Sequence, residues 1–495
     1  MESPKESLSF RQKAIKGVVW SAIQNWGRQA IAFIVFFLLA RLLGPEAFGL
    51  VAAASIFLGL IGIFLDQGFS AALIQRKELE PEHLDTAFWT NISIGLMMTV
   101  LSMAMAGGVA NFFKLPELTP VIRWLSLSFI ITSLSSTQEA IFQRKLDFKP
   151  LAVRELVGVS TSGLVGVTMA YMGFGIWSLV SQQLVNGLVR VLLIWWASDW
   201  RPRLSFSYKH FRELFSFGIN VVGINLLSFI STRSDNLLIA YFLSPVALGY
   251  YTIAYRLLEI VTQLFIGVIT PIALPLFSRL QQDIEKTRLA FYRAVQLSNF
   301  IGIPIFLGLS ALSSELVIVV FGEKWISSIP VMQILNLIGI LYTGFYFNGP
   351  VMMAVGKSAW KLRLDFIKTI GYFLAFAIAV RWGIVAVAAG YVITGYLMSG
   401  MTLWFLKKTI RINLITYLQQ YIAPMVGSVA MVAAILGTKY FLSNFINLPI
   451  LLLISILVGA IVYPVTIILI APKEFRQFID VFRSFLPQSV LKIKN

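Results

Sequence analysis

The chain has 495 residues, 58% of them hydrophobic and only 13% charged, a balance that no soluble domain can hide from water. It contains no cysteine, which excludes disulfides, thiol catalysis and thiolate metal sites. A formal net charge of +17 would suggest nucleic acid in a soluble protein; in a chain this apolar it points instead to basic loops on the cytoplasmic side of a bilayer, and no nucleic-acid partner is expected.

The opening MESPKESLSFRQKAIK is polar and runs directly into a full-length apolar stretch, so no cleavable leader is expected. A helix needs about 20 apolar residues to cross the hydrocarbon. Fourteen stretches qualify, near 18–43, 47–73, 86–111, 117–141, 150–172, 174–198, 213–243, 247–275, 290–312, 326–347, 359–381, 383–406, 417–440 and 446–471. Short turns such as Gly44-Pro45 and Ser244-Pro245 punctuate them. After the last, KEFRQFIDVFRSFL places Phe475, Phe478, Phe482 and Phe485 at helical spacing with charges between them, the pattern of an amphipathic helix on the membrane surface. Residues 205–215 suggest a similar linker helix.

Lys and Arg test this reading. Thirty of the 40 fall in loops on the side of the two termini, six on the opposite side, and four (Arg28, Arg190, Arg233 and Arg256) within spans. That asymmetry places both termini in the cytoplasm.

The chain also repeats itself. ARLLGPEAFG at 40–49 matches AYFLSPVALG at 240–249 in five of ten positions, including Pro45/Pro245 and Gly49/Gly249. Pro120 answers Pro330, and Gly175-Ile176 answers Gly383-Ile384, at nearly the same shift. The repeat unit is six helices. An even number of crossings keeps orientation, so the expected fold is an all-α polytopic membrane protein with two six-helix parallel repeats around a central cavity. The expected segments are 1–204, 205–408, and a third, 409–495, that carries two extra helices and the amphipathic tail.

A charge at mid-span costs about 2.5–3.5 kcal/mol on insertion scales, so such residues face water or partners. Arg28, Arg190, Arg233 and Arg256 are candidate cavity cations for an anionic head such as a pyrophosphate or acidic sugar, and arginine keeps its charge when buried. Arg28 and Arg190 have no acidic residue nearby in sequence. Asn25, Asn225 and Asn236 are candidate polar cavity residues, and Asp66, Asp235 and Glu259 are candidates for ion coupling or charge pairing. On a hairpin turning near Pro245, at about 1.5 Å per residue, Asp235 and Arg256 reach nearly the same depth. The competing reading is a purely structural ion-pair network. Glu139 and Glu155 are expected to pair with Arg144 or Arg154. Trp20, Trp26, Trp89, Trp177, Trp195 and Trp196 near span ends read as interface anchors, with sugar stacking as the alternative.

Two signals lead nowhere. AVGKS at 354–358 lacks the glycine and the preceding strand that a phosphate-binding loop requires. His83 and His210 fall in charged loops far apart in sequence, so no metal site is expected.

ARLLGPEAFGLVAAA (40–54), DQGFSAALIQRKELEPEHLDTAFWTNI (66–92), TQEAIFQRKLDFKPLAVRE (137–155) and STRSDNLLIAYFLSPVALGYYTIAYRL (231–257) resemble the Wzx-type polysaccharide flippases of the multidrug/oligosaccharidyl-lipid/polysaccharide superfamily, nearest the colanic-acid and teichuronic-acid branch. The resemblance implies flipping of undecaprenyl-pyrophosphate-linked oligosaccharides to the outer leaflet of a bacterial cytoplasmic membrane. It also implies a cationic cavity, alternating access and an ion gradient. The family's Arg-x-Asp-Asn pattern falls on Arg233, Asp235 and Asn236, and Ala240 stands where the family usually has glycine. The partners implied are the lipid-linked oligosaccharide, the bilayer and other membrane proteins of polysaccharide assembly, with a coupling proton or sodium ion and no bound cofactor. The alternatives are a cation-coupled exporter of small amphipathic molecules on the same fold and a membrane polysaccharide polymerase. The polymerase is disfavoured by short outward loops without a catalytic acidic motif.

Overall fold

The computed structural model describes residues 4–65, 69–76 and 79–485, and every regular element among them is helical. The chain forms two compact units, residues 1–252 and 253–495. The division falls within a helix of the second repeat's opening hairpin.

The first unit contains α1 (Pro4–Leu42), α2 (Pro45–Gly62), α3 (Phe69–Gln75), α4 (Pro81–Phe113), α5 (Leu118–Arg144), α6 (Phe148–Tyr171), α7 (Ile176–Ala197), α8 (Tyr208–Phe242) and the start of α9 (Pro245–Leu280). Here α4 packs on α5, α6 on α1 and α7, and α5 on α2 and α7. The stretch expected as one span at 47–73 is two helices, α2 and α3, with residues 66–68 between them outside the described residues. The short α3 is held by burial of Phe69 and Leu73. Its last carbonyls are capped by Arg144, which donates to Leu73 O at 2.9 Å and also to Ile74 O and Arg76 O. Arg144 is therefore a helix cap. The expected linker helix at 205–215 is not separate either: from Tyr208 it continues unbroken as α8.

The second unit contains the rest of α9, α10 (Ile284–Ala311), α11 (Ser313–Leu316), α12 (Ile329–Phe345), α13 (Asn348–Ala354), α14 (Ser358–Ala379), α15 (Ile384–Ile410), α16 (Leu414–Leu442), α17 (Leu448–Ile470) and α18 (Pro472–Phe485). Its core includes Phe277, Phe291, Val351, Leu406 and Tyr417. Lys361, Arg363 and Lys368, counted from sequence as loop cations, lie inside α14. Along α17, Leu453, Leu457, Ile461 and Leu469 are exposed, the all-round apolarity of a lipid-facing helix. In α18, Phe475 and Phe478 are half-buried while Arg476, Gln477 and Asp480 are exposed, and Phe478 stacks on Phe300 at 5.8 Å.

Each of the fourteen predicted stretches coincides with a long helix or, for 47–73, with the α2–α3 pair. By length and apolarity alone, eleven spans stand out among the described residues, or twelve if bent α9 counts as one. α9 bends by 45° between Gly267 and Ile272, where the sequence places Pro271. This is nearly the repeat-equivalent position of the α2–α3 break.

Repeated residues do the same local job twice. Pro45 and Pro245 are the first residues of α2 and α9, where the missing N–H costs nothing. Ser244 adds a side-chain cap, accepting from Ala247 N–H at 3.1 Å. Gly175 and Gly383 precede α7 and α15 with φ of +55° and +90°, a region that L side chains avoid. Gly49 and Gly249 are reciprocal: a Cβ on Gly49 would overlap the Pro245 carbonyl, and one on Gly249 the Pro45 carbonyl. The first turns of α2 and α9 thus meet backbone to backbone.

We expect Gly49→Ala and Gly249→Ala each to destabilise the protein by about 1–3 kcal/mol, the range for overpacking. Gly107→Ala, where a Cβ meets nothing, should be neutral. Thermal unfolding in detergent micelles is the measurement, and equal melting temperatures for all three variants would refute the contact.

Candidate functional site

Among the described residues, the first unit holds a dense charge network on α5, α6 and α7. Arg154 on α6 is buried and bonds Glu139 of α5 at 2.5 Å, with Glu155 at 3.7 Å. Ser135 donates to the same Glu139 carboxylate at 2.9 Å. Arg190 on α7 reaches Glu155 at 2.7 Å. The sequence separation had left Arg190 without an evident acid, and the packing of α7 on α6 supplies it. The small Gly158 leaves room for the Arg190 stem, whose Cγ lies 2.9 Å from where a Cβ would stand. Two carboxylates thus match two guanidiniums, as burial requires. The pairing of Glu139 with Arg154 was foreseen.

Beside this network lies a pocket of about 520 Å³ reached by α2, α5 and α7. Its polar lining is Ser128, Thr132, Gln182, Gln183, Asn186 and Arg190. Hydroxyls and carboxamides present both donors and acceptors, the complement of a polyhydroxylated ligand. Of the residues proposed from sequence, only Arg190 belongs to this pocket. The amides and hydroxyls on α5 and α7 were missed because single polar residues in apolar helices carry no motif; the signal was their recurrence at Gln182, Gln183, Asn186 and Arg190 along α7.

Around the second repeat's opening turn the charges are divided. Asp235 on α8 is buried and accepts from Tyr251 O–H at 2.9 Å and from Asn236 N–H at 2.7 Å. Tyr251 is fully buried, so this carboxylate ties α8 to α9 within the first unit. Neighbouring Asn236 is also buried, and its Oδ1 has no hydrogen-bond partner. In the second unit Arg256 donates to Glu259 at 2.6 Å, one turn along α9, and Gln263 donates to the same carboxylate at 3.3 Å. Arg28, Asn25, Asn225 and Arg233 are exposed, and among the described residues neither Arg28 nor Arg233 has an ion pair. Asp66 lies outside the described residues.

The tryptophans separate by role. Trp89 and Trp195 donate their indole N–H to Arg203 O and Leu134 O, each at 2.7 Å, whereas Trp26 and Trp196 are exposed. Sequence reasoning also missed a tyrosine cluster in the second unit. Tyr391 lies 5.1 Å from Tyr372 and 6.2 Å from Tyr255, ring to ring, and shares a hydroxyl contact with Tyr342.

Long apolar helices, a network of paired charges on α5, α6 and α7, and a polar pocket lined by three helices define a multi-pass membrane transporter. The same fold is found in a solved lipid II flippase, MurJ in an inward closed conformation, with a TM-score of 0.74 at 16% identity over 93% of this chain and 100% of that one. An inward-facing multidrug resistance MATE family transporter of the MOP superfamily shares it with a TM-score of 0.62 at 17% identity, over 77% of this chain and 94% of that one.

The chain belongs to the family of polysaccharide biosynthesis proteins, which it matches over residues 38–330. Among curated relatives, the lipopolysaccharide biosynthesis protein WzxC of Escherichia coli (strain K12) is 29% identical over 85% of this chain and 83% of its own length. The teichuronic acid biosynthesis protein TuaB of Bacillus subtilis (strain 168) is 27% identical over 92% and 95%. The succinoglycan biosynthesis transport protein ExoT of Rhizobium meliloti (strain 1021) is 25% identical over 96% of each. The resemblance read from the sequence holds over nearly the whole chain.

Removing buried Arg154 strands the part-buried Glu139 and the buried Glu155, so Arg154→Ala is expected to cost about 3–5 kcal/mol. Arg190, 35% exposed, should cost about 1 kcal/mol or less when changed to Ala. Melting temperatures of the two purified variants check this; equal losses would mean that Arg190 is as structural as Arg154.

Proposed function

We propose that this chain is a flippase that carries lipid-linked oligosaccharide repeat units, borne on undecaprenyl pyrophosphate, from the cytoplasmic to the outer leaflet of a bacterial cytoplasmic membrane. It is a transporter and not a catalyst, and both termini lie in the cytoplasm. The carrying observation is the pocket of hydroxyls and amides on apolar helices, in a chain of a polysaccharide biosynthesis family. An oligosaccharide crosses hydrocarbon unaided only by shedding water from every hydroxyl, at about 2–7 kcal/mol for each one left unpaired. Ser128, Thr132, Gln182, Gln183 and Asn186 offer replacement partners, while exposed Arg28 and Arg233 offer charge to the pyrophosphate.

The names of the relatives support the same reading: ExoT is a succinoglycan transport protein, and MurJ flips lipid II. Alternating access, with a proton or sodium gradient drawing on Glu259 or Asp66, completes the proposal. The fold shared with a multidrug transporter gives the second reading, export of small amphipathic molecules.

Deleting the gene should abolish the surface polysaccharide and accumulate its lipid-linked unit inside, with no change in drug sensitivity. Restoration by the wild-type gene, and export lowered about tenfold or more by Arg28→Ala, Arg233→Ala or Gln183→Ala at equal membrane abundance, is the expected pattern. Normal polysaccharide in the deletion strain would sink the flippase reading. Full export by both arginine variants would sink the cation role alone.

A further inference from the structure

The two histidines of the chain, far apart in sequence, meet in the fold. His83 stands in the first turn of α4 and His210 in the first turn of α8; neither is in a loop, and their rings lie against each other, tilted by 37°, with centroids 3.9 Å apart. Both are buried. A buried histidine at rest in a core has its ring nitrogens satisfied. Here His83 Nε2 and His210 Nδ1 each lack a hydrogen-bond partner. The third member is Glu80, exposed at the N-cap of α4, with Oε2 3.3 Å from His210 Nε2. One ligand atom from each of the three residues lies within 4.8 Å of the others.

We propose that Glu80, His83 and His210 form a site for one divalent first-row transition metal of the zinc class, which clasps the start of α8 to the start of α4. Two imidazoles and a carboxylate are a borderline donor set suited to such ions and not to magnesium or calcium. With bonds of about 2.0–2.1 Å, tetrahedral geometry sets ligand atoms about 3.3 Å apart, the present Glu80–His210 spacing. Water or Glu213, whose Oε2 lies 3.7 Å from His83 Nε2, completes the shell. Coordination through His83 Nε2 puts the ring proton on Nδ1, which now accepts from Glu80 N–H at 3.2 Å. That bond is given up at the exposed end of the helix, where water replaces it.

The clasp falls where the chain is already stitched. Arg203 N–H donates to Asp85 at 3.0 Å and Ser207 N–H to Thr86 at 3.1 Å, while Arg76 pairs with Glu213. A metal would fasten the segment that leads from the first repeat into the second.

The test uses the full-length protein purified in detergent, stripped of metal, and titrated with Zn²⁺ and Co²⁺. About one equivalent should survive dialysis, raise the melting temperature and give the visible bands of tetrahedral Co²⁺. His83→Gln, which keeps a side chain able to complete the helix cap, and His210→Gln should each weaken binding about tenfold or more and remove the thermal shift. Glu80→Gln at its exposed position should do the same in part with the metal-free fold intact. No stoichiometric metal in the wild type, an octahedral Co²⁺ spectrum, or equal affinity in all three variants would overturn the site.

Discussion

A guanidinium inside a hydrocarbon-bound helix bundle must bring its counter-charge with it, and much of the first unit is arranged around that cost. Arg154 is buried and sits between Glu139 and Glu155. Because Glu155 also holds Arg190, the network runs from α5 through α6 to α7, the helices beside the polar pocket. Its stabilisation is mostly conditional. A matched buried pair adds little over apolar packing, whereas breaking it is expensive. The network therefore acts as a constraint on how these helices sit, and the pocket inherits its shape from that constraint.

The second organising device is duplication. A sequence that repeats at a six-helix period has to solve each local problem twice, and it does so with the same residue types at Pro45/Pro245 and Gly175/Gly383. Gly49 and Gly249 go further, since each makes room for the other copy's first turn. Their identity in the two repeats is a requirement of one shared contact. The α2–α3 break and the α9 bend fall at nearly equivalent positions, the first beginning with a turn at 63–65 and the second a kink.

What the sequence made legible follows from dimensionality. Apolar length and basic-loop bias are one-dimensional signals, so the fourteen stretches, the class of fold and the family could be read directly. The repeat was legible because turn residues are chosen by backbone geometry. Pairings were not: Arg190 with Glu155 depends on how α7 lies on α6, and His83 with His210 depends on where α8 begins. The α2–α3 break is missed when Asp66-Gln67-Gly68, a polar and glycine-bearing interruption of 47–73, is read as part of one span. The capping role of Arg144 was hidden for a related reason, since a helix cap spends an arginine on carbonyls that a sequence does not display.

The matched charges also sharpen what the candidate pocket can recognise. From sequence, four arginines suggested a cationic cavity. In the structure Arg190 is offset by Glu155 at 2.7 Å, and Arg256 by Glu259 at 2.6 Å. The pocket on α2, α5 and α7 is consequently polar more than positive, and amides with hydroxyls favour a glycan over a phosphate there. Among the described residues, exposed Arg28 and Arg233 carry cationic charge without an ion pair. A substrate with a neutral, hydroxyl-rich head on a pyrophosphate would use the two kinds of surface separately. The hydroxyls would go to the uncharged polar side chains and the phosphates to exposed arginines. Such a separation would let a lipid phosphate and a sugar be read by different residues of the first unit.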